Sequence, residues 1–153
     1  FYDKSGVSFE LIEREENIRI PGLVNPYILE FDHSSVRVSD ECYEKCNDFY
    51  LNELGFKIRK ILKKGESVMT YYSCGVDTVE TLYTPGKPKV ENPLGHIAFR
   101  VKNCFETKKY LESKGIVCGE PKESALGGFY ILNIKGPDGE AMEFVDRPAL
   151  DKM

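Results

Sequence analysis

The sequence predicts an α+β fold in which one arrangement of elements, a strand followed by a helix and three further strands, occurs twice. The first supporting observation is an internal repeat, because a shift of 63 residues places His33 on His96 and Glu80 on Glu143. The same shift aligns three further pairs, Arg37 with Arg100, Val38 with Val101 and Pro85 with Pro148. The second observation is that the patterning gives the same order of elements on both sides of a proline-rich connector, residues 86–93. The sequence therefore predicts two equivalent modules, residues 27–85 and 94–153.

Module one begins with a predicted strand whose alternation places His33 and Arg37 on the same face. A helix follows, with Ser39 and Asp40 as favourable N-cap residues, and Gly55 ends it. The strands of this module are predicted over residues 29–38, 56–63, 67–73 and 78–84.

Module two repeats this order, with His96 on its first strand and a helix predicted over residues 105–114 that ends at Gly115. The strands of this module are predicted over residues 94–101, 116–119, 127–134 and 141–146. Glu143 and Arg147 share one face of the last strand and its extension.

Residues 1–26 are interpreted as an N-terminal strand and a linker. The first 14 residues have the layout of the chain's own ending, with Gly6, Glu10 and Arg14 matching Gly139, Glu143 and Arg147. One interpretation is that this stretch is the last strand of a preceding domain, in which case Glu10 belongs to a different site. The alternative is an additional edge strand.

The composition limits the classes of partner. The net charge is −4 and the basic residues form no dense run, which argues against a nucleic-acid partner. The apolar runs are shorter than the roughly 18 residues that a membrane helix needs, and no signal-peptide pattern is present. Five scattered cysteines are typical of a reducing compartment. We therefore expect a cytoplasmic protein that acts on a small molecule, without a membrane or nucleic-acid partner.

The repeated histidines and glutamates predict a metal site. Residues at equivalent positions of two copies can meet at a pseudo-twofold axis, so His33, Glu80, His96 and Glu143 are the candidate ligands. Two imidazoles and two carboxylates suit Ni²⁺, Co²⁺, Zn²⁺ or Mn²⁺. Glutamates that face the interior without a metal would be buried charges without partners, which is costly.

The sequence resembles the vicinal oxygen chelate (glyoxalase/bleomycin resistance/dioxygenase) superfamily over residues 28–148. The resemblance rests on the GHIAFRV strand, on the PDG turn at residues 137–139 and on the fourfold ligand set. It implies the glyoxalase fold, in which two paired βαβββ modules form a cupped half-barrel sheet around a metal. The order His, Glu, His, Glu is most similar to bacterial-type glyoxalase I, the lactoylglutathione lyase.

This resemblance implies a metal-dependent lyase or isomerase that converts the hemithioacetal of a 2-oxoaldehyde through an enediolate. Glu143 would be the main catalytic base, and Glu80 would be the opposing ligand that assists on the other face of the substrate. Arg37 matches an arginine that contacts the anionic tail of the substrate, and Arg100 is its repeat mate.

Two departures concern the thiol part of the substrate. Thr84 stands where glyoxalase I usually has an asparagine, and Leu126 stands where it usually has a lysine. Both family residues hold glutathione, so the thiol adduct of this protein is left open. The alternatives are another metal-dependent enzyme of the superfamily, either an acyl-CoA epimerase or a thiol transferase, and a metal-free small-molecule binding or resistance protein. A homodimer is expected in each case.

Overall fold

One eight-stranded mixed sheet organises the protein in the computed structural model, which describes residues 1–13, 15 and 25–152. Module one supplies β1 (Ile28–Val38), β2 (Lys57–Lys64), β3 (Ser67–Cys74) and β4 (Asp77–Tyr83). Module two supplies β5 (Leu94–Val101), β6 (Lys122–Glu123), β7 (Tyr130–Lys135) and β8 (Ala141–Val145). The strand order is β2-β3-β4-β1-β5-β8-β7-β6, so equivalent strands lie at equal distances from the centre. The predicted α+β fold with two βαβββ modules is confirmed, and the sheet is not closed into a barrel.

The two modules join at the centre of the sheet, where β1 pairs antiparallel with β5. His33 lies opposite Ala98, and Ser35 lies opposite His96. Each pair becomes the other under the 63-residue shift, so the pairing is symmetric about the middle of the two strands. Both modules therefore meet within one chain, through main-chain hydrogen bonds.

The two glutamates are placed by the parallel pairs that flank this centre. Ser35 is aligned with Glu80 in the pairing of β1 with β4. Ala98 is aligned with Glu143 in the pairing of β5 with β8. These positions are again repeat mates, so the predicted repeat is confirmed in the register of the strands.

The first helix differs from the sequence prediction. Helix α1 (Tyr43–Asp48) continues into a π-helical turn (Phe49–Glu53), and its N-cap residue, Cys42, makes no side-chain capping bond. The predicted caps are wrong because Asp40 accepts a hydrogen bond from the backbone N–H of Gly86 at 3.0 Å instead. That bond fastens the start of the connector to the approach of α1.

Helix α2 (Cys104–Ser113) has Asn103 as its N-cap residue, a residue type that is favoured at this position. The side chain of Asn103 accepts hydrogen bonds from the backbone N–H groups of Phe105 and Glu106. The strand predicted over residues 116–119 is wrong: only an isolated bridge from Cys118 to Ile134 forms there, and β6 follows it instead. Within the described ranges, no helix is both long and apolar enough to span a bilayer.

Each helix packs on the outer face of its own half of the sheet and forms a separate apolar core. The core of module one consists of Val36, Val38, Cys42, Cys46, Phe49, Tyr50 and Tyr72. The core of module two consists of Val101, Cys104, Leu111, Leu132 and Phe144. Along β1, the core side chains of Val36 and Val38 alternate with His33 and Ser35. His33 and Ser35 therefore point to the inner face of the sheet, where the candidate ligands lie.

The N-terminal segment packs against module one. Buried Asp3 accepts a hydrogen bond from the hydroxyl of Tyr50 at 2.7 Å, and Phe9 contacts the edge of the same ring. The predicted N-terminal strand consists of a single bridge between Tyr2 and Ser8. Glu10 is exposed. Arg14 and residues 16–24 of the predicted linker lie outside the described residues, and the origin of this segment stays a prediction.

Candidate metal centre

Three of the predicted ligands form a tight cluster on the inner face of the sheet. The Nε2 atoms of His33 and His96 are 3.0 Å apart, and Oε2 of Glu80 lies 3.5 Å and 3.8 Å from them. Two imidazole nitrogens bound at right angles to one metal, each at about 2.1 Å, are about 3.0 Å apart. The three ligand atoms all lie within 4.8 Å of one another, so this arrangement fits a single divalent cation.

The fourth predicted ligand stands beside this cluster. Oε1 of Glu143 lies 3.8 Å from Nε2 of His96, although Glu143 is outside the group of three. All four residues line one cavity of about 340 Å³. The structure therefore brings the four predicted ligands together. His33, Glu80 and His96 are close enough to bind one metal ion, and Glu143 lies beside them.

A β-bulge explains how His33 is held. The register of β1 against β5 shifts between Phe31 and His33, so that Asp32 is an extra residue in the strand. Both Asp32 and His33 are buried, and Oδ1 of Asp32 lies 2.6 Å from Nδ1 of His33. Sequence reasoning missed Asp32 because strict alternation puts it on the face opposite His33. Its position directly before the histidine was the available signal.

Arg147 from module two completes this arrangement. Its buried guanidinium forms an ion pair with Asp32, donates to the carbonyl oxygen of Pro148 at 3.0 Å and lies 5.9 Å from the centre of the Tyr71 ring. Burial alone would raise the pKa of Asp32, but the hydrogen bond with His33 and the charge of Arg147 hold that pKa below its ordinary value. Asp32 is therefore an ionised acceptor behind the ligand.

Tyr71 holds Glu80, as Asp32 holds His33. Burial, followed by the charge of Glu80 and a hydrogen bond to that carboxylate, raises the pKa of the Tyr71 hydroxyl far above its ordinary value. The hydroxyl therefore stays protonated and donates to Glu80. The edge of the Tyr71 ring also contacts the ring of His33, with 5.3 Å between the centroids.

The two candidate ligands of module two, His96 and Glu143, have shifted pKa values. Burial lowers the pKa of His96 to about 4, with His33 and Arg37 adding to the effect while Glu80 opposes it. Burial likewise raises the pKa of Glu143 to about 7; the charge of Glu80 adds to this, while His33 and Arg147 oppose it. His96 therefore offers a neutral imidazole, and the Glu143 carboxyl exchanges its proton near neutral pH.

The walls of the cavity around these ligands are largely apolar. The apolar lining residues are Leu62, Met69, Leu82, Ala125, Leu126, Phe129, Ile131 and Val145. Thr84 also lines this cavity, so both positions that depart from the glyoxalase I pattern, Thr84 and Leu126, face the substrate space. Such walls suit a small substrate with an apolar part next to the oxygens that meet a metal.

The two predicted substrate arginines lie elsewhere. Arg37 is exposed and, together with Lys87, lines a neighbouring groove of about 400 Å³, which shares Leu82 and Thr84 with the ligand cavity. Nε of Arg100 donates to a carboxylate oxygen of Glu30 at 2.7 Å, and Arg100 lines a different cavity. The structure thus brings Arg37, but not Arg100, next to the ligand cavity.

Solved structures with the same architecture include a hypothetical protein from Bacillus halodurans, 19% identical, with a TM-score of 0.64 and matches over 78% of this chain and 94% of that one. Methylmalonyl-CoA epimerase from Mycobacterium tuberculosis is 15% identical, with a TM-score of 0.65 over 87% of this chain and 98% of that one. A variant of the Streptomyces coelicolor methylmalonyl-CoA epimerase, in complex with 2-nitronate-propionyl-CoA, is 18% identical, with a TM-score of 0.60 over 77% and 96%. At these identities the likeness establishes a shared fold, and it does not single out glyoxalase I.

A comparison with curated proteins gave no match to this sequence. The family model of the Glyoxalase/Bleomycin resistance protein/Dioxygenase superfamily matches residues 30–144. The matched stretch contains the four residues that meet in the ligand cavity, from His33 on β1 to Glu143 on β8. With two paired βαβββ modules and this site between them, the chain belongs to the glyoxalase/bleomycin resistance/dioxygenase superfamily.

Proposed function

We propose that the protein is a metal-dependent enzyme that moves a proton at a carbon atom next to a carbonyl group. The observation that carries this proposal is the presence of a three-residue ligand cluster and a separate carboxylate, Glu143, in one cavity. A reaction of this kind needs a cation near the substrate oxygens and a base near the adjacent carbon.

The ligands of the cation are His33, His96 and Glu80, with Glu143 as the fourth. When bound, Ni²⁺, Co²⁺, Zn²⁺ or Mn²⁺ supplies a Lewis acid that stabilises negative charge on the substrate oxygens. The Glu80 carboxylate is held by the hydroxyl of Tyr71, whereas the Glu143 carboxylate has no hydrogen-bond partner within the described part of the chain. Glu143 is therefore the carboxylate that would take the proton from the carbon and return it.

The first candidate reaction is that of a glyoxalase I-type lyase or isomerase acting on a 2-oxoaldehyde hemithioacetal. The apolar walls accommodate the small aldehyde part, and the groove with Arg37 and Lys87 receives an anionic tail. Arg100 has to leave its ion pair with Glu30 before it binds a substrate. Because Thr84 and Leu126 replace the residues that usually hold glutathione, we propose a thiol adduct without assigning glutathione as the thiol.

The second candidate is an acyl-CoA epimerase. Its chemistry is the same proton removal followed by return on the opposite face, which requires two bases. Glu80 and Glu143 occupy repeat-related positions in one cavity and are the available pair. The epimerases that share this fold make 2-substituted acyl-CoA compounds the natural second substrate class to test.

Assembly is a separate part of the proposal. We expect a homodimer, as is common for small-molecule enzymes of this superfamily. Because β1 and β5 pair within one chain, all four ligands come from the same chain. Dimerisation is therefore not needed to assemble the site, and a monomeric preparation is expected to bind metal.

The test combines metal content with two activity assays. The purified protein is loaded with Ni²⁺, Co²⁺, Zn²⁺ or Mn²⁺ and assayed on the methylglyoxal–glutathione hemithioacetal and, by uptake of solvent deuterium, on 2-methyl acyl-CoA thioesters. We expect one metal per chain and turnover in one assay. The variant His96→Ala, with an unchanged circular dichroism spectrum, is the inactive control. Failure to bind any of the four metals would overturn the proposal and favour a metal-free binding protein.

A further inference from the structure

A buried chain of charges runs behind one of the two histidines. Arg147 contacts Asp32, and Asp32 contacts Nδ1 of His33. The exposed fractions of these side chains are 2% for Arg147, 5% for Asp32 and 2% for His33. Arg147 follows the last strand of module two, whereas Asp32 and His33 belong to the first strand of module one. The chain of contacts therefore connects a ligand of one module to the other module.

The contact between Asp32 and His33 determines which ring nitrogen of His33 carries a proton. The Asp32 carboxylate is paired with the buried guanidinium of Arg147 and lies 2.6 Å from Nδ1 of His33. A carboxylate in such an ion pair accepts hydrogen bonds, so Nδ1 is the donor. In the neutral ring the other nitrogen, Nε2, then has the free lone pair. Nε2 is the atom that faces His96 and Glu80 in the ligand cluster. The carboxylate thus presents His33 in the form that binds a metal.

The repeat supplies an internal comparison, because among the described residues module two has no equivalent of the Asp32–Arg147 ion pair next to its histidine. The residue equivalent to Asp32 is Gly95, and the residue equivalent to Arg147 is Thr84. A Cβ atom at Gly95 would lie 3.2 Å from the backbone oxygen of Ser35, which leaves little room for a carboxylate there. The contacts that the structure gives His96 with polar groups of the described residues are made by Nε2.

We infer that Asp32 and Arg147 are positioning residues that fix the ring orientation and the tautomer of His33, so that His33 is the preorganised ligand of the site and His96 is the adaptable one. Asp32 acts by holding the Nδ1 proton, and Arg147 acts by fixing Asp32. This inference rests on the proposed metal site, but its first consequence, the tautomer of His33, exists without a metal. The two proposals therefore fail separately.

The first experiment measures the tautomer directly. The chain has two histidines, so the ¹⁵N signals of the metal-free protein are assigned with the single variant His96→Gln. In the neutral ring, we expect His33 to carry its proton on Nδ1 alone. A proton on Nε2, or averaged signals from both tautomers, would overturn the inference whether or not the protein binds metal.

The second experiment separates positioning from simple stability. The double variant Asp32→Ala/Arg147→Met removes both charges together, so that neither is left buried without a partner. The matched control is Glu30→Ala/Arg100→Met, which removes another ion pair between β1 and module two and changes no candidate ligand. Both variants are compared with the unmodified protein by thermal unfolding and by Zn²⁺ titration against a competing chelator.

The expected result is a loss of metal affinity of about 10- to 100-fold in Asp32→Ala/Arg147→Met, because such partners of ligand histidines typically contribute that much. We also expect averaged His33 tautomer signals in this variant, and unchanged affinity and tautomer in the control. Equal Zn²⁺ affinities in a folded double variant and in the control would overturn the inference. If the unmodified protein binds none of Ni²⁺, Co²⁺, Zn²⁺ and Mn²⁺, the proposed function fails, while the tautomer measurement still decides the inference.

Discussion

The two modules share one backbone arrangement but hold their ligands differently. In module one the side chains of His33 and Glu80 are 2% and 5% exposed, and each has a partner, Asp32 or Tyr71. In module two the side chains of His96 and Glu143 are 21% and 17% exposed. The duplicated fold therefore supplies a symmetric set of ligands, and substitutions around them make one half fixed and the other half accessible.

The differences lie at repeat-related positions next to the ligands. Asp32 corresponds to Gly95 under the 63-residue shift. Tyr71 pairs across the strands with Glu80, and the residue that pairs in the same way with Glu143 is Asn133. In each case the module-two residue offers the ligand less support. If the proposed function is correct, module one would anchor the cation, whereas module two would meet the substrate.

Replacing the histidines tests the comparison with the largest expected effect. His33→Ala is expected to reduce bound metal to background, because it removes the ligand that Asp32 and Arg147 hold in place. His96→Ala is expected to retain weak binding through His33 and Glu80. Metal content after gel filtration measures both, with circular dichroism as the control for folding. A larger loss of metal in His96→Ala would reverse the assignment of the fixed half.

Replacing each glutamate separately distinguishes metal binding from proton transfer. Glu143→Gln is expected to keep the metal but to lower the rate of proton transfer by about 10²- to 10⁴-fold, the range typical of a lost general base. Glu80→Gln is expected to weaken metal binding, because it removes the carboxylate of the three-residue cluster. Solvent deuterium uptake and metal titration are measured on the same samples. Equal effects of the two substitutions on both quantities would contradict the division of roles.

Replacing Tyr71 tests the support of Glu80, with a smaller expected effect and with the neighbouring Tyr72 as a matched control. Tyr71→Phe removes the hydroxyl that donates to Glu80 and is expected to lower the free energy of unfolding by about 1 kcal/mol and to weaken metal binding several-fold. Tyr72→Phe is the control, because the Tyr72 hydroxyl bonds Asn47 on the outer face of the same strand. Chemical unfolding is expected to show similar losses for both variants. A metal affinity that falls equally in both would show that the effect is not specific to Glu80.

The arginine repeat mates are expected to give the smallest effect. Arg37→Met is expected to raise KM for an anionic substrate several-fold with kcat nearly unchanged, because the proposed role of Arg37 is to contact the tail and not the reacting atoms. Arg100→Met is expected to leave both constants nearly unchanged, and loss of its partly exposed ion pair with Glu30 costs well under about 1 kcal/mol. Steady-state kinetics measures both variants. A larger rise in KM for Arg100→Met would place the tail in the other cavity.

The order of the elements along the chain and the meeting of the four candidate ligands in one cavity were predictable because both follow from the repeat. A single shift aligned His33 with His96 and Glu80 with Glu143, and the strand register has the same symmetry. A repeat can be recognised in the sequence without knowing which distant residues are in contact. The superfamily resemblance added the cupped arrangement of the modules.

The supporting residues were not predictable because they depend on departures from that regularity. Asp32 reaches His33 through a bulge, which the alternation of a strand does not indicate. Asp40 bonds Gly86, and Arg100 pairs with Glu30, and both partners are distant in the sequence. A sequence pattern indicates which side chains are available, but tertiary contacts decide which of them bind each other.

The separation of the two cores has a consequence for the order of folding. The buried residues of each apolar core come from a single module, whereas the ligand cluster exists only where β1 and β5 are paired, 63 residues apart along the chain. Because contacts so distant in the chain form slowly, we expect the joining of the modules to be the late step. A cation that binds only the joined form adds about 2.7 kcal/mol at a hundredfold excess over its Kd. Metal supply would then set how long the two halves stay together, and the rate of metal uptake would report the last event of folding.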